Sequence, residues 1–248
     1  MIRSLQDPIQ AAQFLTRLPI PGKNLDPARL NRAAAWFPAV GLLVGLPAAG
    51  AFLFLTRHLD RMPAAALVVL LMILITGGLH EDGVADCADA FGGGWTKEDR
   101  LRILKDSRIG SFGGIALVIS FSMRVLLIAS IPSDNAFQYL LAAQILSRWT
   151  PLPLGKFLSP ARGKEGQGGR IANAMPWITL LLGTAIAAVS SIYLLHQQTI
   201  LTCTVVLVVT ALCAYYFQRR LGGITGDCMG ATIQLTECFV YLCGAWIR

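Results

Sequence analysis

Seven stretches of this chain are apolar for about the 20 residues a bilayer demands of a spanning helix. They run Ala33–Thr56, Pro63–Leu79, Phe112–Ile131, Ala136–Leu154, Ala174–Leu195, Ile200–Phe217 and Gly230–Ile247. The second is short, and the fourth carries Arg148, Pro151 and Pro153, so these two are the weakest of the set. Ahead of the first, Ile2, Leu5, Ile9 and Ala12 recur at helical spacing, which predicts a short helix lying on the membrane surface. Arg3, Asp7, Arg17 and the kinked run Leu18-Pro19-Ile20-Pro21-Gly22 interrupt any apolar core of a cleavable leader, so none is expected. No repeat, low-complexity tract or linker divides the chain. The pattern predicts an all-α fold: one integral membrane domain over residues 1–248, a polytopic helical bundle of about seven transmembrane helices with short loop helices.

Composition agrees. Of 248 residues, 54% are hydrophobic and only 14% charged, against about 25% charged in soluble domains. Mean hydropathy is +0.58. A soluble protein of this size has too little interior for so much apolar side chain. The net charge of +7 would raise nucleic acid as a partner, but no basic or aromatic reader motif accompanies it. Basic loops facing the cytoplasm explain it better. Alternate connections between the spans carry sixteen Lys and Arg on one side and three on the other, with Arg124 and Arg148 left inside spans. The positive-inside rule then puts the N-terminus and the long loops in the cytoplasm and the C-terminus outside. The six cysteines form no C-x-x-C pair and no zinc spacing, so neither a disulfide framework nor a zinc site is expected.

Chemistry concentrates after the second span. Seven of the fourteen acids fall between Glu81 and Asp106. Asp82, Asp86 and Asp89 stand at i, i+4 and i+7, so a helix there would put all three carboxylates on one face. Like charges so stacked repel, and a divalent cation is the usual remedy: Mg²⁺ takes a few carboxylates together with phosphate oxygens and water. The intervening Val84, Ala85, Cys87 and Ala88 do not suit a merely solvated acidic helix end. His80 reads equally as a general base or as a boundary residue bonded to backbone. Gly92, Gly93 and Gly94 are expected to break the helix, and Thr96 with Asp99 to cap the next one in a capping box. Lys105-Asp106-Ser107-Arg108-Ile109-Gly110 then sets bases beside glycine amides, a pattern suited to phosphate.

Later segments add polar groups. Ser159 to Arg170 mixes glycine with Arg162, Lys164 and Arg170, and reads either as a phosphate cradle or as a flexible loop. Asp227 sits near a helix start, where capping is the plain expectation. Glu237 lies deeper in the last span and needs a buried partner, for which Arg124 or Arg148 would serve. Arg148, near the cytoplasmic end of its span, is also placed to reach a substrate phosphate. Carboxylates with a metal and several bases suggest phosphoryl or nucleotidyl chemistry.

These residues resemble the adenosylcobinamide-GDP ribazoletransferase (cobalamin synthase) family. The matches run from Phe14-Leu15-Thr16-Arg17-Leu18-Pro19-Ile20-Pro21 and Phe37-Pro38 through Gly77-Gly78-Leu79-His80, Asp82-Gly83, Ala85-Asp86 and Asp89. They continue with Lys105 to Gly110, Ser147-Arg148, Ala161-Arg162, and Gly222-Gly223, Thr225-Gly226-Asp227 and Gly230-Ala231. Glu81, Ala90 and Gln234 depart from the family pattern. The resemblance implies a bacterial inner-membrane transferase that requires Mg²⁺. In it the ribose hydroxyl of α-ribazole, or of its 5′-phosphate, attacks the cobinamide-linked phosphorus of adenosylcobinamide-GDP, and GMP leaves. On that basis Asp82, Asp86 and Asp89 are the metal candidates, and His80 and Asp82 the catalytic ones. Lys105, Ser107, Arg108, Arg148, Arg162 and Asp227 are the substrate contacts. Its partners are the two small molecules and the lipid bilayer, and a homo-oligomer is left open.

Two rivals stand beside it. CDP-alcohol phosphotransferases also place D-G-x-x-A and spaced aspartates at a membrane surface, but this chain has Asp86 after Ala85 and lacks the second half of that pattern. A transporter would use Arg124, Arg148 and Glu237 as its pathway.

Overall fold

The computed structural model describes residues 6–22, 26, 29–162, 171–172 and 175–246. The described residues are helical, and their one β-bridge is isolated, between Pro160 and Ile224. In chain order the helices are α1 (Gln6–Leu15), α2 (Leu30–Ala33), α3 (Phe37–Leu55), α4 (Arg61–Thr76), α5 (Leu79–Gly93), α6 (Lys97–Ile103) and α7 (Ser111–Ser130). There follow α8 (Ser133–Trp149), α9 (Pro151–Phe157), α10 (Trp177–Leu195), α11 (Thr199–Leu221) and α12 (Gly226–Trp246).

Four helical stretches among the described residues are long and apolar enough to cross a membrane, and a fifth is added if the bent pair α4–α5 is one span. The protein is therefore a multi-pass membrane protein, although a count of seven is not reproduced. Two physical reasons account for the difference. The stretch Trp177–Leu221, 45 residues long, reverses at His196, whose φ is +47°. There Thr199 Oγ1 donates to the Ser191 carbonyl, eight residues back, so the stretch holds two helices. The other reason is α8, which is not apolar enough to be recognised as a span. It lies in the middle of the bundle against α3, α10 and α12, and every residue from Tyr139 to Thr150 is buried. Protein rather than lipid solvates it, so it tolerates Gln144 and Arg148. The outer helices do the reverse and expose Leu74, Val118, Leu181, Ile192 and Leu212, the surface a bilayer covers.

Helix α4 has 16 residues, about 24 Å at 1.5 Å per residue, a little less than a hydrocarbon core. It ends because Gly77 and Gly78 both take left-handed backbone, φ +66° and +72°, which only glycine adopts freely. The chain turns there by 93° into α5. The acidic stretch is thus a helix, set across the end of the bundle rather than continuing the span. Gly92 and Gly93 do not break it; they are its last turn, and Gly94 is the cap. Thr96 and Asp99 form the expected capping box, with the Asp99 amide 3.1 Å from Thr96 Oγ1.

Helix α1 is not a free surface helix. Ala11, Ala12 and Leu15 are buried against Leu30, Ala33, Ala34 and Phe37, and Phe14 stacks on Phe37 with ring centroids 5.7 Å apart. Ile2 and Leu5 lie outside the described residues.

Candidate functional site

The site begins where α5 crosses α12. A Cβ on Gly83 would lie 2.7 Å from the Asp227 carbonyl, while Gly230 opposite leaves 3.5 Å between its own Cβ position and the His80 Cα, an ordinary contact. Glycine at position 83 lets the two backbones meet. That approach brings Asp82 and Asp86 of α5 to Asp227 of α12. Asp227 does not cap its helix as expected. Thr225 does, its Oγ1 accepting from the Cys228 amide at 3.3 Å, and the Asp227 carboxylate is left to face the site.

A third strand of chain closes the rim. The Ile224 amide donates to the Ser159 carbonyl and the Ala161 amide to the Ile224 carbonyl, both at 2.9 Å. This pins the loop after α9 beside α12 and sets Arg162 Nη2 3.6 Å from Asp227 Oδ2. The rest of the glycine-rich loop, including Lys164 and Arg170, lies outside the described residues.

Among the described residues the acids at this rim outnumber the bases. Neither Asp82 nor Asp86 makes a hydrogen bond or ion pair with any described residue. Partial burial, then the neighbouring Asp82 and Asp227, push the Asp86 carboxyl up to about 7. Such crowding calls for a cation. Among the described residues no three His, Cys, Asp or Glu side chains are gathered closely enough to enclose a metal by themselves. Two or three carboxylates would fill only part of a hard ion's shell and leave the rest to other oxygens.

Asp89, the third aspartate of the face, is spent elsewhere. Its carboxylate accepts from the Gly110 amide at 2.7 Å and the Gly113 amide at 2.8 Å, the free donors at the start of α7. Arg108 folds back on Asp106, Nη2 to Oδ2 2.6 Å, and is mostly exposed. That pair and its hydrogen bonds hold the Asp106 carboxyl down to about 2. Lys105 and Ser107 are exposed beside it. The Lys105–Gly110 loop thus adjoins the Asp89 end of α5, and no hydrogen bond or ion pair links it to Asp82 or Asp86.

Beneath the rim lies a cavity of about 340 Å³. His80, Asp82, Asp227 and Arg17 form its polar wall, and Phe14, Phe37, Leu79, Met229 and Ile233 stand among its apolar lining. His80 is 2% exposed, and its Nε2 has no hydrogen-bond partner. Burial, then the positive charge of Arg148 and Arg124 behind it, hold the imidazole well below its usual pKa, so it is neutral and able to accept a hydrogen bond. Of its two readings, the backbone-bonded one is not what Nε2 shows. Arg17 was not among the expected site residues. It arrives because the chain after α1 turns back, its amide donating to the Ile75 carbonyl at 2.7 Å, and its side chain lies across Gly77. Its one signal in the sequence is its place in the Phe14–Pro21 motif.

The opposite face of α5 enters a second cluster. Glu81 Oε1 pairs with Arg124 Nη2 at 2.9 Å and accepts from Gln234 Nε2 at 2.7 Å. Glu237 stands 3.9 Å from Arg124 and 3.6 Å from Arg148, which also donates to Gln144 Oε1 at 2.6 Å. Gln144 in turn donates to the Tyr241 hydroxyl at 2.9 Å. Arg124 therefore has the structural role expected of it. Arg148 is fully buried here, behind His80 rather than at the open rim. No disulfide is formed; Cys87 and Cys228 meet as buried thiols at 3.9 Å where α5 crosses α12.

Comparison with known proteins gives this arrangement a family. No solved structure matches the chain. A protein of Ralstonia pickettii named adenosylcobinamide-GDP ribazoletransferase is 36% identical over 234 residues, covering 93% of this chain and 91% of its own. Proteins of the same name from Prosthecochloris aestuarii and a Sinorhizobium species are 35% and 37% identical, each alignment covering 94% of both chains. Residues 7–245 match the family described as cobalamin-5-phosphate synthase, and the chain belongs to that family.

Proposed function

We propose that this chain joins α-ribazole, or its 5′-phosphate, to adenosylcobinamide-GDP with release of GMP, and that the reaction takes place at the rim where α5 crosses α12. The observation that carries the reading is the gathering of Asp82, Asp86 and Asp227 where α5 crosses α12, with Arg162 beside Asp227 and with Asp82, Asp227 and Arg17 lining one cavity. A transfer between diphosphate and hydroxyl needs positive charge on the phosphate oxygens and an acceptor for the hydroxyl proton. Asp82 and Asp86, with Asp227, would hold Mg²⁺. When bound, the ion supplies charge neutralisation at the diphosphate and at the departing GMP.

The chain's own residues do the rest. Arg162 is placed to bind a phosphate oxygen once Asp227 is otherwise engaged. His80 Nε2, buried and unpartnered, accepts a hydrogen bond from the ribose hydroxyl and aims its oxygen. The new bond joins that oxygen to the cobinamide-linked phosphorus. The bond from this phosphorus to GMP breaks, GMP keeps the electron pair, and the hydroxyl proton passes to His80, whose lowered basicity returns it to water at the rim. The apolar walls exclude water, which would otherwise hydrolyse the donor. Charge asymmetry in the loops supports a cytoplasmic site, and the family resemblance supports the bacterial inner membrane.

The test is direct. Membranes holding the protein are incubated with adenosylcobinamide-GDP, α-ribazole phosphate and Mg²⁺, and GMP is measured. GMP release that depends on both substrates and stops with EDTA is expected. Folded protein that releases none contradicts the reading.

A further inference from the structure

The two substrates of the proposed reaction differ greatly in size. One carries a corrin macrocycle and a nucleotide; the other is a small aromatic nucleoside. The cavity under the rim, about 340 Å³, is near the lower limit for small-ligand sites. It has no room for the macrocycle. Its chemistry is divided: Phe14 and Phe37, stacked at 5.7 Å and 5°, stand with Leu79, Met229 and Ile233 against His80 and Asp82. His80 lines it too, 2% exposed, and its Nε2 has no hydrogen-bond partner among the described residues.

We propose that this cavity is the acceptor subsite and sets which base the enzyme accepts. The flat base of the nucleoside lies among Phe14, Phe37, Met229 and Ile233, and its ribose turns to His80 and Asp82. The donor diphosphate comes from the outer side of the rim, past Arg162 and Asp86. Arg17, whose guanidinium makes no ion pair with any described residue, stands at the cavity wall to meet an anionic group on the acceptor. The inference rests on the transfer reading above, but it is a statement about binding and is tested as one.

Ile233, 2% exposed, is the lever. Ile233→Phe fills the cavity and Ile233→Ala enlarges it. Binding of α-ribazole and of the smaller riboside of unsubstituted benzimidazole is measured by titration calorimetry on the detergent-solubilised protein without donor. The KM of each substrate is measured in membranes. Ile233→Phe is expected to weaken α-ribazole binding at least tenfold and the smaller riboside less, with the donor KM within twofold. Ile233→Ala is expected to admit a bulkier base that the parent protein rejects, so the size preference shifts even if the Phe variant does not fold. Unchanged base preference in Ile233→Ala overturns the proposal, as does a donor KM that rises while acceptor binding holds. Acceptor binding that follows cavity size in a protein releasing no GMP supports the subsite and defeats the transfer reading alone.

Discussion

Adjacent residues of one helix serve two opposite electrostatic regimes. Asp82 faces an open rim where Asp86 and Asp227 crowd together with Arg162 as the near cation. Glu81 faces the bundle interior, where two glutamates meet Arg124 and Arg148 among Gln234, Gln144 and Tyr241. Although Glu81 Oε2 and Arg148 Nη2 keep no hydrogen-bond partner among the described residues, the interior cluster sets two acids against two bases and pairs them with one another. Burial demands this, because an unpaired charge there has no water to turn to. Among the described residues the rim is left with more acids than bases. The pairing inside fixes the rotation of α5, and the missing pairing outside is what a metal and a diphosphate would supply.

That contrast can be broken from either side. Removing both rim carboxylates, Asp82→Ala with Asp86→Ala, should abolish GMP release to background while the protein still folds, as read by turnover and by thermal unfolding of the same sample. Next comes the interior: Arg124→Ala leaves Glu81 and Glu237 short of a cation and should cost about 3–5 kcal/mol of stability, the range for a broken buried pair. Unfolding in detergent checks it, and an unchanged transition would mean that the cluster is not structural. Gly83→Ala attacks the joint between the two regions. Its methyl would stand 2.7 Å from the Asp227 carbonyl, so the helices must part. Clearing that contact moves the helices by about half an ångström or more, and a misplacement approaching 1 Å at a reaction centre should cost up to about 10²-fold in turnover. Asp89→Ala removes acceptors from two amides of α7 and should lower stability by about 1 kcal/mol, as a lost helix cap does. The smallest effect belongs to Arg108→Ala, because Arg108 is exposed and already paired with Asp106; turnover should fall by less than about threefold, in line with a surface ion pair.

Much of this was legible in the chain. The apolar stretches mark the outer helices because lipid selects for hydrophobicity along their full length. The spacing of Asp82 and Asp86 marks a shared helical face, and Thr96 with Asp99 marks a capped start. What was hidden depends on partners distant in sequence. Helix α8 looks weak because its polar residues answer to α3 and α12, not to lipid. Asp89 shares the register of Asp82 and Asp86, yet Gly110 and Gly113 claim it, and no periodicity announces that. Asp227 read as a cap until Thr225 took the task, and Arg17 enters the cavity only because the chain after α1 folds back onto Ile75. Lys105 and Arg108 were expected as phosphate contacts from bases beside glycine amides and from the family resemblance, and neither signal shows that Asp106 sits close enough to hold Arg108.

The central claim is that the uncompensated rim of α5 and α12 is where Mg²⁺ and the diphosphate meet. Its most direct test is GMP release in membranes as a function of Mg²⁺ concentration, for the parent protein and for Asp82→Asn and Asp86→Asn. These variants keep the shape and remove the charge. The account predicts that each raises the Mg²⁺ concentration for half-maximal rate at least tenfold and lowers the limiting rate. Parent-like rates with parent-like Mg²⁺ dependence in both variants would contradict it.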